Sequence, residues 1–213
     1  MKSLILDVDG VLVRDRLLLE HVKSNVVDYV RAKLPKAPQP GKVNQVLYMK
    51  YGHTAVGLNQ TFGVDVSDFN EKVYDKRVIE HLWSVLSGNE FQQEASIINE
   101  IQKSGWDVTL FSNSPLIWTL PVQSAISADV QIALDGQFYK PDIRAYMKFD
   151  NRKTHLFVDD KKINLRAAKY LKNWVPVKYT EKKDMDFVSV SSIWELALLS
   201  DTINMYGFDS LSI

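Results

Sequence analysis

A chain of 213 residues is one large domain, or a core domain carrying a smaller insert, and it can bury a substantial core. Lysine plus arginine and aspartate plus glutamate both number 26, so the formal net charge is zero and nothing favours a nucleic-acid polymer or an anionic membrane surface as partner. Cysteine is absent, which excludes disulfides, thiol catalysis and thiolate metal sites, and the four histidines (His21, His53, His81, His155) lack the spacing of a zinc hydrolase.

The first residues run straight into a strand with no leader, and no apolar run is long enough to span a bilayer, so the cytoplasm is the expected location. Strand one, Leu4-Ile5-Leu6, is apolar on both faces, as a buried parallel strand is, and it ends in Asp7-Val8-Asp9-Gly10. Leu18, Val22, Val26, Val30 and Leu34 recur at helical spacing, and Pro35 stops that helix. Val43 to Met49 starts a further helical stretch, which Gly52, Gly57 and Gly63 are expected to punctuate. Ser67 reads as the N-cap of a helix through Tyr74, and Val78 to Leu86 forms another helical stripe closed by Gly88. A simple crossover needs one helix, so this many implies an inserted helical module.

From about Glu90 helix and strand alternate. A helix from Phe91 to Lys103 precedes a strand from Val108 to Phe111, then a helical segment near Pro121 to Ile126 and a short strand from Val130 to Ala133. An Asp135-Gly136 turn, a strand from His155 to Val158, a helix from Asn164 to Lys172, short strands at Val175–Tyr179 and Phe187–Val190 and a last helix from Ser192 follow, with a polar, loosely held end. The expected fold is α/β, a doubly wound parallel sheet with an inserted α-helical cap. The core is 1–13 plus 89–213, and the cap is 14–88.

Side chains one residue apart on a strand face the same way, so Asp7 and Asp9 converge and need a cation or a shared proton. Further strands end in Ser112-Asn113 and Asp159-Asp160, and Lys140 stands before a proline between them. Carboxylates, a hydroxyl and an ammonium meeting at one carboxyl edge suit Mg²⁺ and a phosphate.

These four segments, in this order, resemble the motifs of the haloacid-dehalogenase-like (HAD) superfamily: DxDG at Asp7 to Gly10, a strand-closing Ser112, Lys140-Pro141, and Asp159-Asp160 with Asn164 beyond. The resemblance implies Asp7 as nucleophile forming an aspartyl-phosphate, Asp9 as general acid and base, and Lys140 and Ser112 binding the phosphate, with Asn113 nearby. It implies Mg²⁺ held by Asp7, Asp160 and the main-chain carbonyl of Asp9, with Asp159 as a further metal acid or as the partner of Lys140. Asn164 would orient the acids. The presence of Asp9 and Asp160 argues against a dehalogenase proper, and no cap lysine (Lys33, Lys36, Lys42, Lys50) stands out as the Schiff-base lysine of a phosphonatase.

The segment Tyr48 to Asp75 is similar to the cap of pyrimidine 5′-nucleotidase-like members, which would let a base stack on Tyr51, His53 or Phe62. The expected substrate is therefore a small phosphate ester, with a nucleoside 5′-monophosphate as the sharper expectation. The alternatives are a phosphotransferase of the β-phosphoglucomutase type and a HAD-shaped binding module without catalysis. Nothing in the sequence speaks to oligomeric state.

Overall fold

A computed structural model describes residues 2–133 and 138–208. The Asp135-Gly136 turn lies outside the described residues. Six strands form one parallel sheet in the order β3-β2-β1-β4-β5-β6, where β1 is Lys2–Leu6, β2 Trp106–Leu110, β3 Gln131–Ile132, β4 Thr154–Asp159, β5 Trp174–Tyr179 and β6 Val188–Val190. The apolar run Leu4-Ile5-Leu6 sits at the centre between β2 and β4 and is fully buried. Its alternation divides the core. Leu4 and Leu6 join one apolar cluster, whereas Ile5 joins a second, aromatic one with Phe111, Tyr146, Phe157 and Trp174.

Register places the chemistry. Leu6 stands opposite Leu110 of β2 and Val158 of β4, so the three strands finish together. The residues that follow, Asp7, Phe111-Ser112 and Asp159-Asp160, thus emerge side by side at the carboxyl edge, where open parallel sheets bind ligands.

Between β1 and α6 (Asn89–Lys103) the chain forms α1 (Arg16–Lys33), α2 (Pro40–Tyr51), α3 (Thr54–Phe62), α4 (Val66–Val73) and α5 (Lys76–Leu86). Asp15 caps α1 by accepting from Leu18 N at 2.7 Å, and the Leu18, Val26, Val30 stripe buries itself. Two expectations are corrected. Asp65, not Ser67, caps α4, accepting from Ser67 N at 2.9 Å, because the helix starts two residues earlier. Gly57 does not break a helix but lies within α3. A Cβ there would fall 2.8 Å from Leu47 Cβ and 2.8 Å from Tyr51 Cδ2, so glycine lets α2 and α3 pack closely.

Helix α7 (Leu116–Ile126) starts one turn earlier than its proline suggested, with Pro121 inside it. Helices α8 (Ile143–Tyr146) and α9 (Lys162–Lys169) cover the aromatic cluster, and α10 (Ile193–Tyr206), capped by Ser192, extends order into the polar end. Among the described residues no helix is long and apolar enough to cross a membrane.

Candidate active site

Asp7 leaves β1 buried. Its Oδ1 accepts from Val8 N at 2.7 Å and lies 2.9 Å from the Lys140 ammonium. Lys140 is itself buried, and its Nζ also donates to Asp159 Oδ2 at 2.7 Å. Phe111 and Phe157, from the aromatic cluster beneath, stand 5.2 and 5.5 Å from that nitrogen. Burial opposes charge on Lys140, but Asp159 and Asp7 outweigh it and hold the ammonium above the ordinary lysine range. Burial pushes the Asp7 carboxyl well above the usual carboxylate range. Lys140 pulls it down, and Asp159, Asp9 and Asp160 push it up again.

Asp159 has both oxygens engaged. Oδ2 also takes Asn164 Nδ2 at 2.9 Å and Oδ1 takes Lys161 N at 2.7 Å, so its first task is to hold Lys140. Asp160 differs. Its Oδ2 accepts from Lys161 Nζ at 2.7 Å, while its Oδ1 is buried with no hydrogen-bond partner. Asp7, Asp159 and Asp160 each bring a carboxylate oxygen within 4.8 Å of the others, the one such group among the described residues. An all-oxygen donor set with an orphaned buried oxygen fits Mg²⁺. The Asp9 carboxylate stands outside that set, so any part it takes in holding the ion falls to its main-chain carbonyl.

Gly10 makes the acid cluster possible. It adopts φ +88°, and a Cβ would lie 2.6 Å from Asp160 Cγ. Gly10→Ala is expected to displace Asp160 and weaken Mg²⁺ binding about tenfold or more, which calorimetric titration of the metal-free chain measures. Unchanged affinity would mean that Asp160 does not hold the ion.

The Asp9 carboxylate turns toward α7. Trp118 Nε1 donates to Oδ1 at 2.9 Å and Ser114 Oγ to Oδ2 at 2.6 Å, with Ser112 Oγ at the 3.5 Å limit. Burial raises its pKa, and the Ser114 and Trp118 bonds pull part of that back. Neither Ser114 nor Trp118 was singled out from the sequence. Ser114 precedes the Pro115 cap of α7 and Trp118 lies in its first turn, so the only signal was their closeness to Ser112 in sequence.

Asn113 is expected to bind substrate, but its amide is committed elsewhere. Nδ2 donates to Gly52 O and Lys140 O, both at 2.8 Å, and Oδ1 accepts from Lys140 N at 2.8 Å. It clips the turn after α2 to the backbone of Lys140. Gly52 itself, at φ +75°, admits no side chain, since a Cβ would sit 2.2 Å from Lys140 O.

A cavity of about 230 Å³ opens over Asp7, Asp9, Ser112 and Lys140. Helix α1 supplies Leu19, Val22, Lys23 and Val26 to it, and the following helices supply Asn44, Tyr48, Thr54 and Phe69. His53 lines it, stacked on Tyr139 (6.0 Å, 16° between planes) and edge-on to Phe69. Tyr51 does not line it. Its ring packs beside Gly57 and its hydroxyl meets Thr61 at 3.3 Å, because the α2–α3 packing turns it away. Phe62 is likewise outside and half exposed.

Burial holds His53 at about 4, below the histidine value of 6.5. The unfolded chain therefore takes up a proton in that window that the folded chain refuses. The stability His53 contributes is present above about 6.5 and is lost as pH falls toward about 4. His53→Gln is expected to remove on the order of 2–3 kcal/mol from the acid-side fall in unfolding free energy, measured by denaturant titration at several pH values. An identical slope would refute a neutral imidazole in the folded chain.

This architecture is shared with solved structures. A HAD phosphatase from Thermococcus onnurineus superposes with a TM-score of 0.56 at 14% identity, covering 93% of this chain and 97% of that one. A Bacillus subtilis protein, YfnB, named as a HAD-hydrolase and bound to magnesium, gives 0.58 at 12% identity, over 94% of this chain and 98% of that one. The fold is HAD-like. A Thermotoga maritima protein named as a β-phosphoglucomutase shares the HAD-like fold too, with a TM-score of 0.54 at 14% identity over 95% and 100% of the two chains. Chains described as dehalogenases do so as well. No family model and no curated protein matches the sequence.

Proposed function

We propose that the chain is a Mg²⁺-dependent phosphomonoester hydrolase that works through an aspartyl-phosphate on Asp7. The observation that carries this reading is the buried Asp7 at the end of the central strand, with the Lys140 ammonium 2.9 Å from its Oδ1 and the unpaired oxygen of Asp160 in the same acid cluster. In this reading residues 14–88 are the cap, and 1–13 with 89–213 are the catalytic core.

Asp7, Asp160 and the Asp9 carbonyl would hold the Mg²⁺, which supplies positive charge against which a carboxylate can approach a dianionic phosphate. Asp7 forms the new P–O bond as the bond to the leaving oxygen breaks. Asp9, its pKa raised by burial and its carboxyl aimed by Trp118 and Ser114, gives that oxygen a proton. It then takes a proton from the water that attacks phosphorus, releasing inorganic phosphate and restoring Asp7. Lys140 stabilises the charge on the transferring group. Ser112, whose oxygen accepts from Ser114 N at 3.0 Å, would turn its proton from the long 3.5 Å contact with Asp9 to a phosphate oxygen.

A phosphotransferase would use the same groups and pass the phosphoryl group to a second substrate in place of water. A binding module without catalysis would keep several costly like charges together for no use. The substrate is a small phosphorylated metabolite enclosed by the cap helices. A nucleoside 5′-monophosphate is the sharper choice, supported by the apolar wall of Leu19, Val22, Val26 and Phe69 beside a neutral His53. A panel of phosphate metabolites incubated with Mg²⁺ and with EDTA tests this. Metal-dependent release, greatest on nucleotides, is expected. Preference for a sugar phosphate would remove the nucleotide choice alone.

A further inference from the structure

Lys161 is an ammonium that the mechanism above does not use. Its main-chain nitrogen is fixed by Asp159 Oδ1, and its Nζ sits 2.7 Å from Asp160 Oδ2. The side chain lines the same cavity as Asp7, Asp9, Tyr48 and Lys140 and remains partly exposed. Asp160 thus gives one oxygen to a lysine and leaves the other buried without a partner. An entering dication would meet a positive charge already seated on one of its own ligands. At such separations like charges repel. The lysine stem is long and flexible, and from the cavity wall its partly exposed ammonium can turn to water or to an anion held over Asp7.

We infer that Lys161 exchanges partners, neutralising Asp160 while no divalent ion is held and gripping the substrate's phosphate once the ion has displaced it. The second half of this inference rests on the phosphohydrolase reading; the first does not. Lys161 stays charged throughout, so no proton moves. With the ion on Asp160, Lys161 and Lys140 together present two cations to one phosphoryl group. Lys161 is then a phosphate-binding residue, and its pairing with Asp160 weakens the hold on the metal.

Calorimetric titration of metal-free protein with Mg²⁺, and then of the Mg²⁺-saturated protein with inorganic phosphate, separates the two halves. Lys161→Met is expected to bind Mg²⁺ about tenfold more tightly than wild type, because no charge-assisted hydrogen bond has to be given up. The same variant is expected to bind inorganic phosphate about tenfold more weakly. Lys161→Arg, which keeps the charge, should stay near wild type in both, and melting curves check that each variant is folded. Mg²⁺ affinity of Lys161→Met equal to or weaker than wild type overturns the exchange, as does a wild type that binds no Mg²⁺. Tighter Mg²⁺ with unchanged phosphate affinity overturns the hand-over to phosphate. A wild type that binds Mg²⁺ and phosphate but releases phosphate from no ester removes the hydrolase reading, while both titrations still judge Lys161.

Discussion

Asp7→Asn is expected to lose phosphate release by on the order of 10⁴-fold or more while the protein stays folded. The amide is nearly isosteric but cannot form the P–O bond, and no other carboxylate replaces it. Asp9 is held by Trp118 and Ser114, and Asp159 by Lys140, Asn164 and Lys161 N. The same change should raise the melting temperature of the metal-free protein. Burial pushes the Asp7 carboxyl up, so the folded chain holds its proton to higher pH than the unfolded chain does. Stability from this group is present at low pH and falls as pH rises past the ordinary carboxylate range. Asparagine removes that fall, and Lys140 still has Asp159 at 2.7 Å. Initial rates with Mg²⁺ and melting curves in EDTA measure the two effects. A variant that is inactive because it is unfolded would count against this assignment.

Lys140→Met carries the largest stability penalty in the site. The ammonium is buried between two buried carboxylates, Asp7 at 2.9 Å and Asp159 at 2.7 Å. Removing one partner of a buried ion pair leaves uncompensated charge and costs roughly 3–5 kcal/mol, which for a chain of this size lowers the melting temperature by about 10 °C. The loss should not add to that of Asp7→Asn. In the double variant Asp7 no longer needs a cation, so the pair is expected to be less destabilised than the sum of the single changes, by about 1–3 kcal/mol. Strict additivity in thermal melts would deny that Lys140 and Asp7 are coupled.

The sheet was legible because its signals are local. Leu4-Ile5-Leu6 and Leu156-Phe157-Val158 are apolar on both faces, which suits a buried parallel strand. The acids were legible because each closes such a strand, and register then brings them together. What failed depends on which way a face turns. Tyr51 and Tyr48 lie three residues apart on α2, yet Tyr48 overhangs the cavity and Tyr51 packs against Gly57. That choice is made by α3, which sequence periodicity does not orient. Asn113 lines the cavity as its place after Ser112 suggested, but its second role was not legible. It acts as a clip because the Lys140 loop and the Gly52 turn, both distant in sequence, come to rest on it. Ser114, Trp118 and Lys161 went unnoticed for the opposite reason. None of them closes a strand or sits in a motif, and only the positions of the Asp9 and Asp160 carboxylates give them meaning.

The central claim is that Asp7 itself carries the phosphoryl group. Rapid acid quench of the wild-type protein turning over its best ester with Mg²⁺, followed by peptide mass spectrometry, tests it most directly. The expected result is phosphate on the peptide containing Asp7, removed by hydroxylamine and absent from Asp7→Asn. Turnover that proceeds with no phosphate on that peptide, and that survives Asp7→Asn, would contradict the account.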